Sequence, residues 1–354
     1  MRDVDPSLDI RVVPMADGGE GTVEAFLASG ALARTARVLG PLGDTVDARF
    51  AREGTVAVLE MAAASGLELV SPERRDVLAA TTYGTGQLIL AALDDGAVRI
   101  VLGIGGSATN DGGAGALAAL GVRFLDRFGL ALDATPARLA EVAAIDVSGL
   151  DPRLASVDLE IACDVDNPLL GANGATSIYG PQKGATGAIA ERAERGLRAL
   201  ADAVAASTGR DLRDLPGAGA AGGLGFGLAS LAGARLRRGV DVVGDVRGLD
   251  AALRRAAYCI TGEGRIDVQT LHGKTVAGVA ERARAFGVPV FAIGGSIDRT
   301  AEPALFERGI VCVPICATPM SLEEAMAGVL ALVRDAAARI ARSRPVLSDP
   351  TGGT

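Results

Sequence analysis

Two lysines stand in a chain of 354 residues whose other basic side chains are almost all arginine: Lys183 in GPQKGA and Lys274 in LHGKTV, close to the lone histidine, His272. Arginine replaces lysine wherever a solvated positive charge suffices, so a lysine kept among glycines points to a site that needs a compact ammonium, such as one beside a transferring phosphate. Around Lys274 the stretch TGEGRIDVQTLHGK gathers Glu263, Arg265, Asp267, Gln269 and His272. Arg265 and Lys274 there would offset phosphate or carboxylate charge, with Asp267 as a base or metal contact.

Three other stretches carry the same kind of chemistry. VPMADGGEGTVEAF sets Asp17, Gly18, Gly19 and Glu20 in a tight turn before a helix, where backbone N–H groups face an anion or a metal–phosphate unit. A simple N-cap needs one glycine at most. GIGGSATNDGGAG, with Gly105, Gly106, Ser107, Thr109, Asn110 and Asp111, extends that logic: a glycine-rich turn wraps phosphate oxygens, the hydroxyls and amide add neutral donors, and Asp111 is placed to hold Mg²⁺ or orient a hydroxyl. ACDVDNPLLGANGA delivers Asp164, Asp166 and Asn167, a set suited to a hard cation or to taking a proton from a substrate hydroxyl. It lacks the terminal glutamate of an EF-hand.

Two look-alikes fail on context. GAGAAGGLGFG fits G-x-G-x-x-G at Gly217, Gly219 and Gly222, with Gly223 next, but follows DLRDLP rather than an apolar strand, so it reads as a backbone-approach loop and not a dinucleotide site. HGKT has Val268 where a Walker A loop needs glycine.

The elements that position these residues are apolar runs of strand length: DIRVVPM, TVAVLEM, VRIVLGI, DLEIACD, AYCITGEG, VPVFAIGG and GIVCVPIC. Several lead into helical patterns, and most end in Gly, Ser or Asp, the α/β arrangement in which ligands gather at the carboxyl ends of parallel strands. RVLGPLGDTVDARFAREGTVAVLEM reads instead as a hairpin or meander. ATGAIAERAERGLRALADAVAAS and SLEEAMAGVLALVRDAAARIARSR are packing helices, the second opening on a capping box of Ser321 and Glu324.

With 49% hydrophobic residues the chain suffices for two domains. A net charge of −8 and 3% aromatics argue against nucleic acid as a partner. No run is long enough for a membrane span and the N-terminus lacks signal-peptide character, so a cytoplasmic location is expected. The four cysteines read as buried free thiols.

Taken in order, PMADGGEGT, EMAAASGLELV, TTYGTGQLI, GIGGSATNDGGAG, CDVDNPLLGANGA, GPQKGAT, PGAGAAGGLGFG and TGEGRIDVQTLHGK resemble the type I glycerate kinase family over nearly the full length. The resemblance implies an α/β fold with a Rossmann-like parallel-sheet domain, a second α/β domain and an active site in the cleft between them. The expected division is residues 1–50 with 255–354, and 51–254. It implies ATP as cofactor, D-glycerate as substrate and 2-phosphoglycerate as the favoured product over 3-phosphoglycerate, and the chemistry of phosphoryl transfer adds Mg²⁺. Oligomeric state is left open, with a homodimer one arrangement. Family members normally begin with a strand and helix bearing a motif like APDSFKxSLSA, which has no counterpart before RDVDPSLDIRVVP, so a start codon assigned too late is the expectation.

From residue chemistry, Lys183, Arg265 and Lys274 are the expected cations, Asp164 or Asp267 the hydroxyl-orienting base, and Asp17 or Asp111 the Mg²⁺ contact. Gly222, Gly223, Asn167, Glu263 and His272 join the binding residues. Two alternatives are an impaired protein that only binds nucleotide or glycerate, and a dinucleotide-dependent oxidoreductase.

Overall fold

A computed structural model describes residues 1, 4, 6–272 and 275–343. The described chain divides into two compact units, residues 14–243 and residues 1–13 with the segment from 244 onward.

In the unit of residues 14–243, strands β1 (Leu32–Leu39), β2 (Thr45–Glu53), β3 (Val56–Glu60) and β4 (Arg99–Gly103) are followed by a small antiparallel sheet of β5 (Arg123–Leu125), β6 (Ala131–Leu132) and β7 (Ala144–Asp146), then β8 (Asp158–Ala162) and β9 (Arg235–Arg237). The main sheet runs β1-β2-β3-β4-β8-β9, antiparallel from β1 to β3 and parallel from β3 to β9. The meander expected around residues 36–61 is the antiparallel part. β4 (RIVLG) and β8 (DLEIA) are buried over all but their first residue, as interior parallel strands are. β1 is largely exposed and carries Arg34 and Arg37, charges that blunt a sheet edge. Leu59, Leu102 and Ile161 of the central strands pack with Leu88, Leu117, Leu200 and Phe226 of the surrounding helices in one core.

The other unit holds a three-stranded parallel sheet of β10 (Cys259–Ile266), β11 (Val290–Ile297) and β12 (Ile310–Pro314), with the helices Thr275–Ala285 and Glu302–Glu307 in its two crossovers.

Three expectations change. DIRVVPM forms no strand, because nothing described pairs with it, and Val12 is 79% exposed. The C-terminal helix is two, Leu322–Ala327 and Val329–Arg342, split at Gly328, although its capping box is present as expected. The cysteines are free but only half-buried.

Candidate active site

The carboxyl ends of β3, β4 and β8 lie side by side, and the residues beyond β4 and β8 open onto a cavity of about 500 Å³ within the unit of residues 14–243. Asp17, Gly18, Gly19 and Glu20 line one part, Gly105, Gly106 and Ser107 another, and Cys163 and Asp164 a third. The turns meet backbone to backbone. Gly18 has φ +81°, and a Cβ there would collide with Ala162 and approach Gly239 Cα to 3.2 Å.

Asp17 organises its own turn by accepting the Gly19 N–H at 3.1 Å. The start of the following helix, Thr22–Ala28, is already occupied: Glu60 at the end of β3 accepts the Val23 N–H at 2.8 Å, and burial pushes its carboxyl above the usual range. The anion expected at this helix start is therefore an internal carboxylate.

Asp164 accepts the Gly239 N–H at 2.9 Å. Burial pushes its carboxyl up to about 6, and the nearby Asp17 carboxylate pushes the same way, against the Gly239 hydrogen bond and Arg238. A carboxylate that is largely ionised yet basic near neutral pH suits general-base work.

Asp111 differs from its expected role. It is fully buried and absent from the cavity wall. One oxygen accepts the Gly113 N–H at 3.0 Å; the other accepts Thr82 N–H at 2.7 Å, Thr82 Oγ1 at 2.8 Å and Gly115 N–H at 3.2 Å. Through both oxygens it ties the glycine loop to the start of the helix Tyr83–Asp94. Burial raises its carboxyl, while those hydrogen bonds act in the other direction.

Lys183 is 1% exposed and also absent from the wall. Its Nζ donates to Ser107 Oγ at 2.6 Å and to the Thr109 carbonyl at 2.7 Å from behind the loop. Burial pulls its amine down to about 7, opposed by Asp111. Thr109 and Asn110 are buried; the Asn110 amide donates to Thr176 Oγ1 at 3.1 Å. Gly222 (φ +66°) and Gly223 pack on this loop from the far side, with Gly112 N–H donating to the Gly222 carbonyl at 2.9 Å. The backbone-approach reading of GAGAAGGLGFG is what is found there. Asn167 accepts the Tyr179 hydroxyl at 2.6 Å and so braces a residue of the wall.

Sequence reasoning missed Glu68, Cys163, Tyr179, Gln182, Ala220 and Ala221, all on the wall. Glu68 and Gln182 sit inside stretches quoted above, but nothing in their spacing marks them. In the other unit, Glu263 and Arg265 lie on β10, where Glu263 accepts from the Thr270 hydroxyl and Arg265 pairs with Asp267 at 3.1 Å. His272 ends the turn Val268–His272, and Lys274 lies outside the described residues.

Among the described residues the wall thus carries four carboxyl side chains, from Asp17, Glu20, Glu68 and Asp164, and no lysine or arginine. Such a site needs a cation to admit an anion. A description of the glycerate kinase family matches residues 1–344. The chain belongs to the glycerate kinase family. A glycerate kinase of Halalkalibacterium halodurans is 48% identical over 344 residues, covering 96% of this chain and 90% of that one. One from Bacillus subtilis is 50% identical, covering 87% and 81%. A glycerate 2-kinase of Escherichia coli is 45% identical, covering 92% and 87%. A crystal structure described as glycerate kinase 2 from Salmonella typhimurium LT2 superposes with a TM-score of 0.85 at 45% identity, covering 97% of this chain and 90% of that one. This member of the glycerate kinase family is accordingly a phosphotransferase, and no helix among its described residues is long and apolar enough to cross a membrane.

Proposed function

We propose that this enzyme transfers the γ-phosphoryl group of Mg·ATP to D-glycerate in the cytoplasm, forming 2-phosphoglycerate in preference to 3-phosphoglycerate. The observation that carries the reading is Asp164: a carboxylate just beyond the end of a central strand, raised to about 6, on the wall of a cavity whose charged side chains, among the described residues, are all acidic. Asp164 accepts the proton of the attacking hydroxyl, and burial, with Asp17 adding to it, keeps that proton affinity high. The preference for the 2-position rests on the name of the Escherichia coli relative.

Among the described residues no group of three or more His, Cys, Asp or Glu could hold a metal by itself. That fits Mg²⁺, which commonly binds through one or two carboxylates together with substrate phosphates. Asp17 is the carboxylate we assign to that contact. When bound, the ion would neutralise charge on the phosphates. The turns at Gly18, Gly19, Gly105 and Gly106 let backbone approach the ligand closely without adding charge.

The test is ADP release by the full chain in Mg·ATP with and without D-glycerate. Product position is read by adding enolase alone, which consumes 2-phosphoglycerate, or enolase with phosphoglycerate mutase, which also admits 3-phosphoglycerate. Glycerate-dependent ADP with an enolase signal lacking mutase is expected. ADP release indifferent to glycerate would refute the substrate, and a signal only with mutase would refute the 2-position.

A further inference from the structure

The contact between Lys183 and Ser107 joins a residue wholly inside the protein to one on the cavity wall. Ser107 is 8% exposed and its loop is strapped from one side by Leu67 N–H to the Gly106 carbonyl at 2.7 Å and Ala108 N–H to the Ser65 carbonyl at 3.0 Å. From the other side comes Lys183, at the end of the short turn Pro181–Lys183, with Nζ at 2.6 Å from Ser107 Oγ and 2.7 Å from the Thr109 carbonyl oxygen. Its neighbour Gln182 reaches the wall, whereas Lys183 does not.

A serine hydroxyl has one proton to give and two lone pairs, and Lys183 in its ammonium form, which the neighbouring Asp111 favours, only donates. Lys183 therefore fixes which side of Oγ accepts. Among the described residues Ser107 Oγ donates to no protein acceptor, so its proton is left for whatever occupies the cavity. The nearby wall is acidic, which makes a neutral donor backed by a buried positive charge the kind of group that can meet an anion there without an exposed cation.

Resting on the phosphotransfer reading above, we infer that Lys183 is a positioning residue that aims the Ser107 hydroxyl at an anionic oxygen of the bound ligand, a carboxylate oxygen of the acid or a phosphoryl oxygen of the nucleotide. Lys183 does not touch that ligand. This differs from a catalytic ammonium beside the transferred phosphate, because removing the lysine matters only while the serine is present.

The experiment is a double-mutant cycle on the full chain with Ser107→Ala, Lys183→Met and both, measuring KM for D-glycerate, KM for Mg·ATP and kcat, with melting temperature for each variant. Ser107→Ala is expected to raise one of the two KM values about ten- to a hundredfold, the effect of one lost hydrogen bond to a charged group, and the affected substrate identifies the anion. Lys183→Met is expected to raise the same KM in the wild-type background and to add less than about threefold when Ser107 is already alanine, since coupled residues are non-additive. Ser107→Thr, which keeps the hydroxyl, is expected to restore that KM. Factors that multiply in the double variant would overturn the inference, and so would Ser107→Ala leaving both KM values within about twofold. If Lys183→Met fails to fold, Lys183→Gln takes its place in the cycle, with the same expected non-additivity with Ser107→Ala and the same overturning result. If the wild type shows no glycerate-dependent turnover, the substrate reading fails by itself, and the same variants are compared by the melting shift each ligand induces. A shift with Mg·ATP or D-glycerate that disappears in Ser107→Ala and returns in Ser107→Thr supports the inference; equal shifts overturn it.

Discussion

Replacing Asp164 by Asn removes the proposed base while keeping an oxygen to accept the Gly239 N–H, now 2.9 Å from the carboxylate. With the carboxyl raised to about 6, the wild type is about nine-tenths ionised at pH 7 and about one-tenth at pH 5. The acid limb of kcat/KM, which reports the free enzyme, should therefore fall about tenfold towards pH 5. Asp164→Asn should lower kcat/KM by about 10²- to 10⁴-fold and erase that limb. Stability should move the other way. A carboxyl whose folded pKa lies above its unfolded value binds its proton more tightly when folded, so ionising it costs stability as pH rises from about 4 through about 6. Because Asp164 is partly exposed, we predict only the sign: at pH 7 the Asn variant melts no lower than wild type, and higher if solvent screening leaves the effect visible. Initial rates of ADP release from pH 5 to 8 and thermal melts at pH 7 supply the data. A wild-type profile flat to pH 5, or the same limb in the Asn variant, would refute the assignment.

Two further predictions separate scaffold from chemistry. Gly222→Ala puts a Cβ into the Thr109 carbonyl oxygen and 2.6 Å from Asn110 Cα, at φ +66°, so left-handed strain and overpacking together should cost about 2–5 kcal/mol in urea unfolding. A loss below about 1 kcal/mol would show that the two loops can part. Asp111→Asn turns an amide towards N–H donors that had a carboxylate, and should cost about 2–6 kcal/mol while leaving the Mg²⁺ dependence of the folded enzyme as in wild type. A shifted Mg²⁺ requirement at unchanged stability would return Asp111 to the metal.

Strands β3, β4 and β8 were legible because interior strands need mainly apolar runs: TVAVLEM and VRIVLGI supply them, and DLEIACD does so around Glu160, which is buried and paired with Arg99 and Arg237. DIRVVPM has the same local pattern and no strand, since pairing depends on a partner that the pattern cannot name. The C-terminal helices show the same limit: Ser321 and Glu324 mark a start by local chemistry, but the split at Gly328 is not marked by any cap in the sequence. In the site, the glycine loops were legible as loops. Which glycines line the cavity and which receive another loop was not: Gly105 and Gly106 lie on the wall, whereas Gly222 and Gly223 lie against Thr109, Asn110 and Gly112 behind it. The scarcity of lysine singled out Lys183, and its surroundings suit a compact ammonium: two acceptors within 2.7 Å of Nζ, in the closed interior.

The cavity's charge ties these observations together. Two unit charges of like sign about 7 Å apart repel by about 0.6 kcal/mol in water and about 2.4 kcal/mol at an effective dielectric of 20. Four carboxyl groups on the wall would thus oppose a polyphosphate by several kcal/mol unless a cation intervened. Burial does most to raise Asp164, and the repulsion from Asp17 that adds to it is of the kind that makes a bare nucleotide a poor ligand. A divalent ion entering with the phosphates would relieve both at once. Its field would also favour the ionised form of Asp164, so in the pH series above the acid limb of kcat should lie below that of kcat/KM. Among the described residues this wall has no arginine to take that part; a buried lysine behind a serine, glycine-rich backbone and an incoming metal serve instead, which leaves the carboxylates free to act on a hydroxyl.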